Sequence, residues 1–150
     1  MVRLRFPTAV AAELGGVTPK MLNNWRVTSL LLPATPGTSK RGGHWYSFSD
    51  IVAMRAIRAM EPIAAHTLEP LRAMVAHLRA RTDLSPTAPL ASITLATNGH
   101  EVCEFPGSTT LASLRKRVPP GPMLLLVPLD ELVAELQPKV RAYLDKKRAA

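Results

Sequence analysis

The segment 18–27, TPKMLNNWRV, concentrates side chains of the types that bind nucleic acid. Its two asparagine amides suit the edge of an adenine, and its lysine and arginine suit guanine or a phosphate. These side chains are Lys20, Asn23, Asn24 and Arg26. Leu22 falls on the other side of a helix and should face a core. The segment therefore predicts a helix with one polar side suited to a DNA groove.

A second basic group lies in the segment 37–48, GTSKRGGHWYSF, where Lys40 and Arg41 stand among glycine and small polar residues. Glycine lets a loop approach a phosphate backbone closely, and the two cations suit phosphate oxygens. An ordinary solvated basic loop is the alternative interpretation. The aromatic run that follows predicts a strand, and we expect the ring of Trp45 to pin this strand to the helices.

The helices that must position these groups have recognisable start and stop signals. Thr8 precedes the stretch AVAAELGG, whose apolar residues have helical spacing and whose Gly15-Gly16 pair can end a helix. Thr18 is a capping residue type, and Pro19 suits the first position of a second helix. Two short helices joined by the tight connection GGV are typical of a helix-turn-helix.

A hairpin and two further helices are expected next. Residues 30–36, LLLPATP, predict an extended arm, and residues 44–48 predict the strand that returns from the basic loop. Ser49 and Asp50 are capping types that predict the start of a third helix. Residues 67–80 have leucine and valine at spacings of three and four, which predicts a fourth helix.

A boundary is expected at residues 82–90, which are rich in proline and small polar residues. This linker would separate a domain of residues 1–81 from a small α/β module of residues 91–150. Within the module, Asn98-Gly99 predicts a β-hairpin, because both turn positions tolerate positive φ.

The rest of the module is predicted to contain a short helix within 108–117, a buried strand within 122–129 and a final amphipathic helix broken or kinked at Pro138. An apolar stripe runs along its end: Val127, Leu129, Leu132, Val133, Leu136, Val140, Tyr143 and Leu144. The stripe is large for so small a module, which favours a dimer interface or a surface for a protein partner. A simple internal core is the alternative.

Residues 6–80 resemble the MerR-type DNA-binding domain. The stretch TAVAAELGGVTPKMLNNWRVTSLLLP follows that family's register without a gap, and YSFSDIVAMRAI matches its tyrosine, serine and acidic cap before an apolar helix. Excisionase-like relatives share a Gly-Gly-His stretch, here Gly42-Gly43-His44. The resemblance implies an α+β fold, with a winged helix-turn-helix whose wing is residues 37–48, followed by the small α/β module.

The resemblance also implies double-stranded DNA as the partner, with the second helix in the major groove and the wing on the backbone. The implied contact residues are Thr18, Lys20, Asn23, Asn24, Arg26, Lys40, Arg41, His44 and Tyr46. The chain departs from the family where Asn23, Asn24 and Trp25 replace the usual Arg-Tyr-Tyr, and where His44 replaces a wing arginine. The operator sequence is therefore not inherited, and Trp25 is expected to pack more than to read bases.

The charge balance fits an anionic partner. The 150 residues carry a formal net charge of +8, with a sequence pI near 10.4. Residues 1–81 hold 11 Lys and Arg against 4 acids, a balance of +7, whereas residues 82–150 hold 8 against 7, a balance of +1. The basic first half favours nucleic acid, although a solvated basic surface would give the same total.

Several other classes of protein are not expected. Cys103 is the single cysteine, so we expect no intrachain disulfide, and the cytoplasm is the expected compartment. No apolar run approaches the roughly 18 residues of a membrane span, and the first residues lack the apolar core of a signal peptide. The histidines and the cysteine have no metal-ligand spacing, and neither a catalytic triad nor a glycine-rich phosphate motif is present. We expect no enzyme, no metal site and no cofactor.

The leading expectation is a transcriptional regulator that binds duplex DNA as a homodimer, because one winged helix has a small footprint on DNA. An excisionase-like architectural protein is one alternative. An antitoxin that autoregulates its operon and binds its toxin through the C-terminal module is another. A protein partner, either a toxin or the transcription machinery, is therefore part of the expectation.

Overall fold

The computed structural model describes residues 4–37, 43–61 and 68–149. In chain order the elements are β1 (Phe6–Pro7), α1 (Thr8–Gly15), α2 (Pro19–Val27), β2 (Trp45–Tyr46), α3 (Phe48–Ala59), α4 (Glu69–Ala80), β3 (Ile93–Thr97), β4 (Val102–Pro106), α5 (Leu111–Arg117), β5 (Leu125–Pro128) and α6 (Leu129–Ala149). The strands form a two-stranded sheet, β1-β2, and a three-stranded sheet in the order β4-β3-β5. This mixture of helices and small sheets agrees with the expected α+β class.

The expected pair of short helices, α1 and α2, is present. Gly16 ends α1 with a left-handed φ of 70°, the conformation that glycine adopts without strain. The Thr18 hydroxyl accepts a hydrogen bond of 3.1 Å from the Met21 N–H and so caps α2. The cap of α1 differs from the prediction: Pro7 holds the N-cap position, and the Thr8 hydroxyl instead donates to the His44 carbonyl at 3.2 Å.

The two-stranded sheet joins the start of the chain to the end of the arm. Phe6 pairs with Tyr46, and Trp45 pairs with Pro7 and also exchanges two backbone hydrogen bonds with Thr35, of 3.0 and 2.9 Å. Tyr46 is 1% exposed, whereas Trp45 is 37% exposed. The expectation that the Trp45 ring pins the strand is therefore wrong, because the buried rings on this sheet are those of Phe6 and Tyr46.

Helix α3 is the centre of the N-terminal half. It begins at Phe48, slightly before the predicted start, because Ser47 and Asp50 form a reciprocal capping box. The Asp50 N–H donates to the Ser47 hydroxyl at 3.1 Å, and the Ser47 N–H donates to the Asp50 carboxylate at 3.0 Å. Eight of its twelve residues are buried, and it packs against α1, α4 and α6.

The C-terminal sheet contains the predicted hairpin, but its turn is longer than two residues. Residues 98–101 connect β3 to β4, and within this turn only Gly99 has a positive φ. The Asn98 side chain supports the turn, because its Oδ1 accepts hydrogen bonds of 2.8 Å from the N–H groups of His100 and Glu101. The sequence signal therefore identified the hairpin but not the turn type.

The two faces of the three-stranded sheet pack against different partners. Leu95 and Val127 belong to the main hydrophobic core, while Ala96 and Phe105 form a second cluster with residues of α5. Strand β5 was expected to be buried, yet it lies at an edge of the sheet, and Leu126 within it is 38% exposed. An edge strand has a neighbour on one side only, which explains the difference.

Helix α6 is continuous through Pro138, so the helix is not broken there, and the predicted alternative of a kink stays a prediction. Its apolar residues Val133, Leu136 and Val140 are at most 1% exposed and belong to the same core cluster as α1 and α3. The rings of Phe6 and Tyr143 lie 5.7 Å apart, which ties α6 to β1. The apolar stripe is therefore largely an internal core. The division at 82–90 stays a prediction, and the two segments that it separates share one hydrophobic cluster.

No helix in the described ranges combines the length and the apolar character that crossing a bilayer demands.

Candidate nucleic-acid interface

Helix α2 turns one apolar residue inward and its polar residues outward. Leu22, 1% exposed, is the only one of its nine residues that is buried. Lys20, Asn23 and Asn24 are exposed, and Arg26 is half-buried. The four side chains with groove-binding chemistry thus lie on a single helix whose inner side is anchored by the core. Leu22 belongs to the main hydrophobic cluster, and α2 packs against α1.

The two asparagines of α2 are not equivalent. The Nη2 group of Arg26 donates to Oδ1 of Asn23 at 2.8 Å, which engages one of the two lone pairs of the oxygen that an adenine contact would use. Among the described residues, no side chain or backbone group bonds to the amide of Asn24. Asn24 is therefore free to use both its donor and its acceptor, whereas the oxygen of Asn23 is already shared with Arg26.

The end of α2 is fixed to the body by a sharp return of the chain. Ser29 adopts a left-handed φ of 59°, and the Trp25 carbonyl accepts hydrogen bonds from the N–H groups of Leu30 and Leu31 at 2.8 and 3.2 Å. Trp25 itself is partly buried and packs against the main core. Its ring thus has the packing role that was expected for it.

The candidate contacts outside α2 occupy different environments. Thr18 is exposed but its hydroxyl is engaged in capping, and Nδ1 of the half-buried His44 accepts a 2.9 Å hydrogen bond from the Gly37 N–H. Tyr46 lies in the core, where burial first and the charge of Asp50 second raise the pKa of its hydroxyl. Because Tyr46 is only 1% exposed, its ring is not accessible to DNA, and Tyr46 is not proposed as a DNA contact.

Lys40 and Arg41, the two cations of the predicted loop tip, lie outside the described residues. The described parts of the loop on either side are held together by the Thr35–Trp45 bridge. The proposed role of these cations therefore rests on the sequence.

Sequence reasoning missed two arginines of α4 that hold the neighbourhood of α2. Nη2 of Arg72 donates to the Thr28 carbonyl at 2.9 Å, just beyond the end of α2. Arg79 donates to the Leu32 carbonyl and lies 3.2 Å from the Asp50 carboxylate. The two arginines are seven positions apart, two helical turns, and this spacing was the signal that could have placed them on one face.

Arg55 of α3 is a third residue that the sequence did not single out. Its Nε and Nη2 groups donate to the Leu14 carbonyl at 2.9 and 2.7 Å, and its Nη1 lies 3.8 Å from the Glu135 carboxylate. Carbonyls in the last turn of a helix lack intrahelical partners, so a cation there stabilises the end of α1. Arg55 thus links α3 and α6 to the turn between α1 and α2.

The described residues give little support to other kinds of site. In the ranges 4–37, 43–61 and 68–149, no group of three or more His, Cys, Asp or Glu side chains is placed to hold a metal ion. Cys103 is half-buried on β4, and burial, followed by the charge of Glu101, raises the pKa of its thiol. A raised pKa disfavours the reactive thiolate.

No family model matches the chain. Three curated proteins, one from Mycobacterium bovis and two from strains of Mycobacterium tuberculosis, are 30% identical to it over 115 residues, which is 76% of this chain and 48% of each relative. All three are described as uncharacterized HTH-type transcriptional regulators. The chain thus spans about half the length of these relatives. The likeness supports a helix-turn-helix segment in this chain, which α1 and α2 provide.

Proposed function

We propose that the chain is a transcriptional regulator that binds double-stranded DNA through a MerR-like winged helix-turn-helix. The observation that carries the proposal is the exposure of α2. One inward leucine anchors this helix, and its outward side presents Lys20, Asn24 and the Asn23–Arg26 pair. The similarity to proteins described as HTH-type transcriptional regulators supports the same proposal.

Each polar group of α2 has a distinct role in this proposal. Asn24 pairs with an adenine edge in the major groove, because its amide donor and acceptor are both free. Lys20, in the first turn, contacts a phosphate or a guanine. Arg26 contacts a phosphate, or a guanine when it releases Asn23.

The hairpin beside α2 serves as the wing. Its described part is the ladder of β1, β2 and Thr35, and its tip contains Lys40 and Arg41. These two cations contact phosphates next to the site that α2 reads. His44 stabilises the arm through its bond to Gly37 and lies close enough in sequence to join the backbone contacts.

The regulator acts as a homodimer in the cytoplasm and without enzymatic activity. A single winged helix covers a short stretch of duplex, and two-fold pairing on a palindromic site extends the footprint. The described residues contain no feature that favours the antitoxin or the excisionase-like alternative over this one.

Fluorescence anisotropy with a duplex from the chain's own promoter region tests the proposal. Because bound cations are released from DNA, affinity should fall on the order of a hundredfold between low and moderate salt. Lys20→Ala should weaken binding and reduce the salt slope by about one per bound copy. The matched control is Lys147→Ala, which removes a lysine that is also exposed and lies near the end of α6, and it should change neither.

The wing is tested by the double variant Lys40→Ala with Arg41→Ala. It should weaken binding to the promoter duplex and to unrelated DNA by similar factors, because phosphate contacts carry no sequence information. Absence of binding at low salt, or an affinity that does not respond to salt, would contradict the proposal.

A further inference from the structure

The two edges of the three-stranded sheet are protected differently. Helix α4 packs beside the β4 edge, and Glu104 of β4 accepts from Nε2 of His77 at 2.6 Å and from Arg81. On the other side, β5 pairs with β3, and no other described segment pairs with β5. Exposed edges present unpaired backbone N–H and C=O groups, which natural sheets cover or guard with charges.

The β5 edge has no charged guard. Residues 122–129, PMLLLVPL, contain no ionisable side chain. Leu126 pairs with Ala96, so both lie on the outer face of the sheet, yet Ala96 is fully covered while Leu126 is 38% exposed. The prolines at 122 and 128 limit the free edge to a few residues, which suits a short and specific pairing.

A groove of about 400 Å³ runs beside this edge, and side chains of both charges line it. Val127 and Pro128 of β5 line it. Arg55, Arg58 and Glu61 line it on the side of α3, and Glu131 and Glu135 line it on the side of α6. Arg58 pairs with Glu61, and Arg55 lies 3.8 Å from Glu135. The side chains of Arg58 and Glu135 are nevertheless 42% and 66% exposed, so both still have surface that a partner can contact.

We propose that β5 is the homodimerisation edge, where a second copy of this chain adds its own β5 in the antiparallel direction to form one six-stranded sheet. A patch that contains an apolar edge and both signs of charge is complementary to itself under two-fold rotation. The two grooves then meet across the axis, where the arginines of one copy can pair with the glutamates of the other. A partner of uniform charge would meet like charges in the same groove.

The antiparallel geometry makes Leu126 the residue that reports on the pairing. With the outer faces of both copies on the same side, the two Leu126 side chains lie opposite or diagonal to each other, about 5 to 8 Å apart. This inference rests on the proposed function, because it specifies which surface forms the proposed homodimer. Its measurement needs no DNA.

Sedimentation equilibrium of the full chain provides the test. The wild-type protein should approach twice its chain mass of 16.3 kDa at micromolar concentration. Leu126→Lys and Leu126→Glu should each dimerise at least tenfold more weakly, because like charges then meet at the axis. An equimolar mixture of the two variants should recover the dimer, since the charges are then opposite.

Leu111→Lys is the matched control. Leu111, on α5, is 49% exposed and lies outside the edge, so this variant should dimerise like the wild type. Circular dichroism checks that the Leu126 variants are folded. Hydrogen exchange of residues 122–128 in the wild-type protein is an independent readout, and protection there should rise with protein concentration.

A wild-type protein that stays monomeric in sedimentation and gains no hydrogen-exchange protection at residues 122–128 would overturn the inference. A dimer whose stability is insensitive to both Leu126 variants would overturn it as well. An equal loss with Leu111→Lys would also overturn it. A monomer that binds its promoter duplex would contradict this inference but not the proposed DNA binding. A Leu126-dependent dimer that binds no DNA would contradict the proposed DNA binding but not this inference.

Discussion

Helices α2 and α3 both contribute to the main hydrophobic core, yet they contribute to very different extents. Helix α2 has nine residues, of which one is buried, and α3 has twelve, of which eight are buried. Burial of apolar surface is the main stabilising contribution in a folded domain, so α3 supports the fold and α2 contributes little to it. A helix that adds little stability but is held rigidly in place is suited to present side chains to a partner.

The rigidity of α2 comes from its ends. Thr18 caps the first turn, the Trp25 carbonyl receives two N–H groups from the returning chain, and Arg72 binds the Thr28 carbonyl. These contacts use the backbone and leave the outward side chains free. Substitutions in α3 should therefore affect folding, and substitutions on the outer side of α2 should affect binding.

The largest effect is expected from Met54→Ala in α3. Met54 is fully buried, and its Sδ lies so close to Gly15 of α1 that a Cβ there would approach it to 2.6 Å. The loss of this side chain should lower the free energy of unfolding by about 2–5 kcal/mol. Urea denaturation measures the change, and a loss below about 1 kcal/mol would show that the α1–α3 contact is not tightly packed.

Asn24→Ala in α2 should give the opposite pattern. It should cost about 1–3 kcal/mol in binding to the operator and little in binding to unrelated DNA, because it removes a contact to a base edge. The free energy of unfolding should change by less than about 0.5 kcal/mol, since the side chain is exposed.

Asn23→Ala is the internal comparison for that prediction. Its Oδ1 is engaged by Arg26, so this variant should reduce discrimination less than Asn24→Ala does. Anisotropy titrations on operator and unrelated duplexes separate the two variants. If Asn23→Ala lowers discrimination more, the assignment of the base contact moves from Asn24 to Asn23.

The capping residues allow α2 and α3 to be compared by the same change. Thr18→Ala and Ser47→Ala each remove one side-chain acceptor at a helix start, at a cost of about 1 kcal/mol. Ser47→Ala should lower the urea midpoint more, because α3 contains much of the core. Thr18→Ala should lower DNA affinity more than Ser47→Ala does, because it frays the first turn of α2 near Lys20.

The sequence was sufficient where local chemistry decides the structure. Gly16, Thr18 and Pro19 marked the boundary between α1 and α2, and each acts as its residue type predicts. The Asn98-Gly99 pair located a hairpin in the same way. Caps and turns depend on neighbouring residues, so one sequence contains the information that they require.

The sequence was insufficient where distant segments decide. Whether the apolar stripe of α6 faces a partner or an internal core depends on α1 and α3, which are far from it in the chain. The exposures of Trp45 and Tyr46 depend on which face of a two-residue strand meets the core. The bonds of Arg55 to Leu14 and of Arg72 to Thr28 span about forty residues, and nothing in the local pattern specifies them.

The smallest effect is expected when the pH is lowered, and it concerns a cluster of charged residues that lies outside α2 and α3. A hydrogen bond from Arg81 lowers the pKa of Asp83. For Glu104, burial alone would raise the pKa, but hydrogen bonds from Arg81 and His77 lower it below its usual value. Carboxylates with lowered pKa values in the folded state stabilise it above their unfolded pKa values, and this stability is lost as pH falls through the folded values.

Arg81→Met isolates this contribution from the other carboxylates of the chain. At pH 7 it should lower the free energy of unfolding by at most about 1 kcal/mol, because Asp83 and Glu104 are partly exposed and solvent screens the pairs. The difference between variant and wild type should begin to shrink as the pH falls below about 4, where the carboxylates of the unfolded chain become protonated, and should shrink further as those of the folded protein do. The urea midpoints of variant and wild type, compared between pH 7 and pH 3, measure this difference. A difference that stays constant from pH 7 to pH 3 would mean that Arg81 holds α4 beside β4 by packing and not by charge.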